Sequence, residues 1–454
     1  MPESTQVSME TLVSLSKRRG FVFQASEIYG GIAGFWDYGP YGVELVRNIK
    51  DMWWRAYVDS QINIVGVDTA IIQHPMLWKA SGHVDTFVDP MIDCKNCKHR
   101  FRADHVADLD TSDLDKLNEA LKDKACPNCG KKHTFTEAKV FNLMLKTYLG
   151  PVQDEASIAY LRPETAGSIF TQYENVRETT RQKLPFGIAQ IGKAFRNEIT
   201  PKDFVFRVRE LEQMEMQYFL PEAEAEAAYK RWKEYAYELL LKMGLPKGNL
   251  RFRDHAPDER AHYAKAALDI EYKFPMGFKE LHGIHNRSDF DLTQHAKFSG
   301  KDLTFFDEAT KTRFMPHVIE SSVGVGRLML ALMHAAYDEE EVNGETRVVL
   351  RFRPEIAPIK IAVLPLSKKP ELTEPTKAVF AELAGQFRAE YDETQSIGKR
   401  YRRQDEIGTP LCVTFDFDSL EDKAVTIRHR DTMEQKRVPI AELNQTIAGM
   451  LKEF

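Results

Sequence analysis

The sequence predicts an α+β protein: an antiparallel-sheet core interrupted by a cysteine-bearing insertion and followed by a small α/β domain. Three observations predict it. Strand-like and helical segments alternate irregularly between residues 150 and 350, which favours an antiparallel α+β layer over a doubly wound parallel sheet. The last ~100 residues run strand–helix–strand in regular order, as a small α/β domain does. Residues 91–150 differ in texture from their flanks and carry two CxxC pairs.

Length and composition bound the answer. The chain has 454 residues, and at ~150 residues per domain the expectation is about three domains. With 43% hydrophobic and 29% charged residues it belongs among globular proteins with ample material for cores. A net charge of -6 argues against a blanket electrostatic grip on nucleic acid and leaves room for a local basic stripe. No apolar run nears the ~18 residues of a membrane span, and "MPESTQVSMETLVSLSKRRG" lacks the charged-then-apolar order of a signal peptide. The expected place is the cytoplasm, with no membrane partner. There, four paired cysteines beside the lone Cys412 point to metal before disulfide.

Residues 1–90 form the first part of the core. They hold the Gly-rich aromatic stretch "SEIYGGIAGFWDYGPYG", a helical pattern through Val43, Val46, Trp53 and Tyr57, and "NIVGVDTAIIQHP", which reads as a strand closed by Pro75. The insertion, 91–150, runs from "CKNCKHRFRADH" through an acidic helical stretch, "DTSDLDKLNEALKD", to "CPNCGKKHTF". Residues 151–352 are the second part of the core. Their clearest helix is "PEAEAEAAYKRWKEYAYELLLKMG", with Pro221 at its start, acids early and Gly244 near its end. "RFRPEIAPIK" marks the boundary to the α/β domain, 353–454.

Several constellations carry chemistry. In "FRNEITPKDFVFRVRELEQMEMQYF", a strand–turn–strand over 195–219, Arg207, Arg209, Gln213, Glu215 and Gln217 share one parity. Phe206, Val208, Met214, Met216 and Tyr218 share the other, so one face is polar and the opposite one apolar. A solvated face of an amphipathic hairpin would show the same pattern. Arg196 and Glu198 sit at spacing two, and a guanidinium can hold a phosphate oxygen pair by parallel hydrogen bonds. Gly324 and Gly326 precede Arg327 and an apolar helix, which lets backbone approach a ligand or simply pack closely. Cys94, Cys97, Cys126 and Cys129 form two knuckles 28 residues apart, a pattern for a closed structural Zn²⁺ site or for thiols that merely pack. Lys399, Arg400, Arg402 and Arg403 surround Tyr401, which suits single-stranded RNA as well as a solvated basic turn.

"FRNEITPKDFVFRVRELEQMEM" resembles motif 2 of class II aminoacyl-tRNA synthetases, "IESSVGVGRLMLAL" resembles motif 3, and the helix-then-strand ending at Pro75 is similar to motif 1. Within that class, "GFVFQASEIYGGIAGFWDYGPYGVEL", "RPETAGSIF", "ELHGIHNRSDFDL" and "SIGKRYRRQDEIGTP" resemble the homodimeric glycyl-tRNA synthetase family, in family order along nearly the whole chain. The resemblance implies a class II antiparallel-sheet catalytic core with a zinc-ribbon-like insertion and a C-terminal anticodon-binding domain. It implies a ligase that makes glycyl-adenylate from glycine and ATP, releases pyrophosphate, and passes the glycyl group to tRNA(Gly). Arg196, Glu198 and Arg327 would be catalytic. ATP would meet Arg196, Asn197, Glu198, Phe206, Arg207, Val208, Arg209, Glu210, Leu211, Glu280, Leu281, Gly324, Val325, Gly326 and Arg327, with a carboxylate of the Glu280 stretch holding Mg²⁺. Glycine would meet Arg102, Glu164, Leu211, Glu212, Gln213, Met214, Glu215, Glu320, Ser321, Ser322, Val323 and Gly324, with Glu164, Glu215 and Glu320 around its ammonium. Lys399, Arg400, Arg402 and Arg403 would contact tRNA, and motif 1 would form a homodimer.

The sequence departs from the family pattern in places. Gly167 and Ser168 replace a Gln and a Gly, Leu211 stands where a phenylalanine stacks on adenine, and Ser321 replaces a proline. Competing readings are a synthetase for proline, serine or threonine, a catalytically inactive accessory protein on the same fold, and a zinc-ribbon RNA-binding module. Intact motifs 2 and 3 speak against the second, and the third leaves most of the chain unexplained.

Overall fold

Seven strands form the central sheet of the computed structural model, which describes residues 7–109, 111, 113–256 and 265–454. The start of the N-terminal stretch, 1–6, and Asp110 and Ser112 of the acidic stretch lie outside the described residues. In chain order the strands are β1 (Ile64–Gly66), β2 (Phe186–Phe195), β3 (Glu210–Leu220), β4 (Leu250–Asp254), β5 (Ala266–Phe274), β6 (Gly277–Ser288) and β7 (His317–Gly324). Their order across the sheet is β4-β5-β6-β7-β3-β2-β1. Every neighbouring pair is antiparallel except β1 with β2.

Strand alternation divides the sheet into two unlike faces. Met214, Met216 and Tyr218 of β3 and Ile319 and Val323 of β7 enter the main hydrophobic core. Helices Pro40–Trp54, Ala225–Met243 and Val325–Ala336 pack into the same core. On the opposite face, Gln213, Glu215 and Gln217 face Gly324, Ser322 and Glu320 across the β3–β7 ladder. This polar face is not solvated: Gln217 is 0%, Glu215 2% and Glu320 4% exposed. One end of it is sealed by helix Ala166–Thr180, whose Ile169, Phe170 and Tyr173 pack on Phe186, Ile188, Phe219 and Val318. The other end opens into a cleft.

Local chemistry accounts for several of the helices. Pro40 opens its helix at the first turn, where a missing N–H costs nothing. That helix continues into a π turn, Arg55–Asp59, which places Tyr57 between Trp53 (ring centroids 4.6 Å apart) and Trp232 (5.6 Å). Gly244 ends Ala225–Met243 at φ 109°, as expected from the sequence. "NIVGVDTAIIQHP" is not one strand. Ile64–Gly66 joins the central sheet, whereas Ile72–Gln73 pairs with Ile158–Leu161 in a separate small sheet. Between them the Thr69 N–H donates to Gln190 Oε1 (2.7 Å), a side-chain bond where a ladder would need backbone. Pro75 closes no strand; it opens helix Pro75–Ala80.

The insertion builds a three-stranded antiparallel sheet from Val88–Asp93, Arg100–Arg102 and Lys139–Asn142. It has its own small core, and its acidic stretch contains helix Leu114–Leu121, capped by Asp113. The C-terminal sheet runs Ala389–Tyr391, Ile361–Pro365, Leu411–Phe415, Ala424–His429, Gln435–Pro439, over a second separate core. Hairpin Tyr337–Val342/Glu345–Leu350 leans on this domain through buried Arg347, whose Nε donates to Asp405 Oδ2 (2.8 Å). Among the described residues no helix is long and apolar enough to cross a membrane.

Candidate active site

The cleft at the open end of the polar face is built on the loop between β2 and β3 and on the start of helix Val325–Ala336. Arg196, just past β2, donates from Nε to the Pro163 carbonyl (3.0 Å) and lies over the Phe87 ring (5.7 Å). Glu198 accepts from Arg207 Nε (2.7 Å), and its backbone carbonyl accepts from Arg209 Nε (3.0 Å). Arg327 stacks on Phe206 (4.4 Å to the ring centroid) and pairs through Nη1 with Glu280 Oε2 (3.0 Å). The Arg327 guanidinium holds the Glu280 carboxyl below its usual range. Gly326 sits close to the β2–β3 loop: a Cβ there would stand 3.1 Å from the Val205 carbonyl oxygen, a tight contact. Leu211 lines the same cleft, together with Trp36 and Tyr38, which sequence reasoning left unassigned.

Behind the cleft lies a buried charged chamber. Glu320 Oε2 accepts from Arg287 Nη1 (2.6 Å) and from Gln217 Nε2 (2.8 Å), while Oε1 is 2.7 Å from His285 Nδ1. Arg287 is itself held by Asp291 through two bonds of 2.8 and 2.9 Å. Glu215 Oε1 accepts from Gln217 Nε2 (3.0 Å), and its Oε2 accepts from Thr165. Glu164 Oε2 is 3.5 Å from His83 Nε2, and its buried Oε1 has no hydrogen-bond partner. Burial raises the Glu215 carboxyl well above its usual value, with Glu320 and Glu164 pushing the same way. Burial acts on Glu320 too, but Arg287 and His285 outweigh it and hold that carboxyl well below the carboxylate range. For Glu164, burial is overcome by His83, and the value falls. Of the three acids, Glu320 is paired with a fixed cation, Arg287, whereas Glu215 is bonded by the neutral Thr165 and Gln217 and Glu164 keeps one oxygen without a hydrogen-bond partner.

Contiguous runs in a strand contribute every second side chain, and this sorts the expected glycine contacts. Gln213, Glu215, Glu320, Ser322 and Gly324 share the polar face. Met214 and Val323 are in the main core instead, as is Val325, expected at ATP. Ser321 bonds Tyr57 Oη and His282 Nε2, both at 2.8 Å, on the opposite face. Burial pushes His282 down to about 3, so it is a neutral partner there. Glu212 pairs with Lys50 (3.0 Å). Arg102 is not brought to this chamber: it sits in the insertion, paired with Asp89 (2.9 Å) and Asp104. At Gly167 a Cβ would meet Leu77 Cδ2 at 2.8 Å and Trp78 at 3.0 Å, so a larger residue would need those side chains to shift. Ser168 Oγ accepts from Thr69 Oγ1 (2.6 Å), adding to the bond network of Gln190.

The four cysteine Sγ atoms lie within 4.8 Å of one another. Cys94–Cys129 and Cys97–Cys126 are 3.8 and 3.7 Å apart, close to the ~3.8 Å edge of a tetrahedron with Zn–S bonds of ~2.3 Å. The donor set and its spacing fit Zn²⁺.

The basic cluster of the C-terminal domain is a helix, Ile397–Ile407, and not a turn. Its phase turns Arg400, 1% exposed, inward, where Nη1 and Nη2 donate to the carbonyls of Pro365, Leu366, Asp392 and Gln395. Tyr401 Oη bonds Thr414 Oγ1 (2.6 Å), and Arg403 Nε pairs with Asp392 (3.1 Å). Arg400 is thus committed to buried carbonyls of its own domain, while Tyr401, half-buried, commits its hydroxyl to Thr414. Lys399 is exposed, and Arg402 lies 3.9 Å from an exposed Glu345 carboxylate.

Residues 149–336 match the family described as the tRNA synthetase class II core domain (G, H, P, S and T), and residues 360–450 match the anticodon binding domain. A solved prolyl-tRNA synthetase from Cryptosporidium parvum shares the fold at a TM-score of 0.66 and 15% identity, covering 100% of this chain and 77% of that one. Sheet, cleft and motifs define a class II aminoacyl-tRNA synthetase. The glycine–tRNA ligase of Caldanaerobacter subterraneus subsp. tengcongensis is 52% identical over 98% of this chain and 99% of its own length; that of Treponema denticola is 50% identical over 100% and 99%. The chain belongs to the glycine–tRNA ligase family. That sets aside the accessory-protein and RNA-module readings.

Proposed function

We propose that in this glycine–tRNA ligase the cleft activates ATP and the chamber behind it selects glycine. The observation that carries the reading is the continuity of the polar face: Gln213, Ser322 and Gly324 line the cleft, and Glu215 and Glu320 lie behind them on the same strands. A glycine carboxylate oxygen attacks the α-phosphorus of ATP, forming the mixed anhydride as the bond to the β-phosphate's bridging oxygen breaks and pyrophosphate leaves. Arg196 stabilises charge on the equatorial oxygens, and Phe206 with Arg327 forms a platform for the purine in place of the missing phenylalanine at 211. The ribose hydroxyl at the end of tRNA(Gly) then attacks the anhydride carbonyl, releasing AMP.

The ammonium of glycine meets Glu164 Oε1 and Glu215, held by Thr165 and Gln217. Rejection of larger amino acids is steric, since overpacking a buried wall is costly. Glu280, whose carboxylate pairs with Arg327, would be the protein carboxylate nearest a Mg²⁺ that would offset the charge of the ATP phosphates. Zn²⁺ on the four thiolates would hold the insertion's knuckles together and take no part in the chemistry. Exposed Ile62, Ile71, Ile72 and Met76 around motif 1 support a homodimer, and Lys399 and Arg402 remain available for tRNA. Free thiols brought together in this way fit a cytoplasmic protein.

Glycine-dependent ATP–pyrophosphate exchange with Arg196→Ala tests the assignment. A loss of about 10²-fold or more in kcat is expected. Exchange within a few-fold of the unaltered chain would remove Arg196 from the chemistry.

A further inference from the structure

The Glu164 carboxylate has one oxygen committed and one left bare, and the committed one faces a histidine from a distant part of the chain. His83 opens the short helix His83–Thr86, at the point where the chain leaves the core for the insertion. Its ring is anchored on every side. Nδ1 is 2.9 Å from Ser81 Oγ, Trp78 and Phe87 meet it edge-on at 5.5 Å each, and Nε2 is left facing Glu164 Oε2 at 3.5 Å. The backbone that carries it is tied to the insertion, because Asn142 Nδ2 donates to the carbonyls of His83 (3.4 Å) and Val84 (2.8 Å).

A glutamate's terminal torsion is broad, so rotamer preference alone does not aim its oxygens. Glu164 is also buried, and an unpaired charge there would be costly. We propose that His83 is a positioning residue for glycine: by facing Oε2 it turns the bare Oε1 toward the substrate ammonium. Phe87, the ring that packs on His83, also lies under Arg196. The root of the insertion thus supports both the amine contact and the phosphate contact. The inference rests on the glycine-site reading of Glu164.

The test is glycine-dependent ATP–pyrophosphate exchange on the full chain with His83→Leu, His83→Gln, Ser81→Ala and Glu164→Gln, melting temperatures being recorded for each. Removing the imidazole that faces the Glu164 carboxylate should raise the glycine KM about tenfold or more in His83→Leu, with kcat and the ATP KM within about threefold. His83→Gln, which keeps a donor, should recover most of the loss, and Ser81→Ala should show a smaller rise of the same kind. An unchanged glycine KM in His83→Leu beside a raised one in Glu164→Gln would overturn the His83 role alone. So would a His83→Leu defect shared equally by kcat and the ATP KM that His83→Gln fails to relieve, since that is the mark of a merely structural residue. If Glu164→Gln leaves the glycine KM unaltered, the amine assignment of Glu164 falls, and the inference with it.

Discussion

Arg287 donates from Nη1 to Glu320 Oε2 across 2.6 Å, with side chains only 2% and 5% exposed. The two strands that carry them, β6 and β7, are neighbours in the sheet, and Asp291 grips the other side of the guanidinium. Breaking a buried pair from one side leaves an uncompensated charge, which costs about 3–5 kcal/mol. Arg287→Ala should therefore lower stability by about that amount in denaturant titration and raise the glycine KM in whatever folds. A change of about 0.5 kcal/mol or less would mean that the pair is already hydrated.

Glycine affinity should depend on pH through Glu215. Burial and two neighbouring acids raise its carboxyl well above the ordinary value, so the free protein holds a proton there over a range in which an ordinary glutamate is ionised. An incoming ammonium favours the carboxylate, and binding then expels that proton. The glycine KM should fall as pH rises toward the raised value and level off beyond it. Glu215→Gln should flatten the profile. A KM that rises over the same interval would reverse the sign of the coupling.

The four thiolates should hold about one Zn²⁺ per chain by elemental analysis, and the metal should be lost in Cys126→Ser. Chelation should lower the melting temperature of the insertion's core around Ile92, Leu117 and Leu121. A chain that binds no metal and melts unchanged after chelator treatment would leave the cysteines as packing residues.

Arg400 and Lys399 should separate structure from recognition. Arg400→Ala orphans buried carbonyls, each worth about 1–3 kcal/mol, and should destabilise the C-terminal domain. A Lys399→Ala, Arg402→Ala pair should leave the melting temperature unchanged and raise the KM for tRNA, more so at low salt. The opposite pattern would restore Arg400 to the RNA surface.

Much of this was legible in the sequence because it is local. CxxC spacing brings the two thiols of each knuckle together, Pro221 and Gly244 bracket a helix, and the parity of Met214, Glu215 and Met216 points to two unlike strand faces. Burial of the polar face could not be read that way, since alternation says which residues share a side and not what covers it. His83 and Glu164, and Arg287 and Glu320, meet only through strand register and chain crossing, and Arg287 sits at an irregularity in the β6–β7 ladder between Asn286 and Ser288. Arg400 escapes a reading of the sequence for a different reason. A run of basic residues looks solvated until helical phase is considered, and Arg400, Gln404 and Ile407 then fall on one buried stripe.

The decisive experiment is amino-acid-dependent ATP–pyrophosphate exchange with glycine beside alanine, serine, proline and threonine. A chamber walled by buried side chains and charged for an ammonium should support exchange with glycine alone. Alanine should be rejected by at least the ~10–200-fold in kcat/KM that one methyl group is worth in a pocket. Exchange with alanine or serine at a rate comparable to glycine would mean that the wall yields, and that glycine is chosen somewhere other than the Glu164, Glu215 and Glu320 chamber.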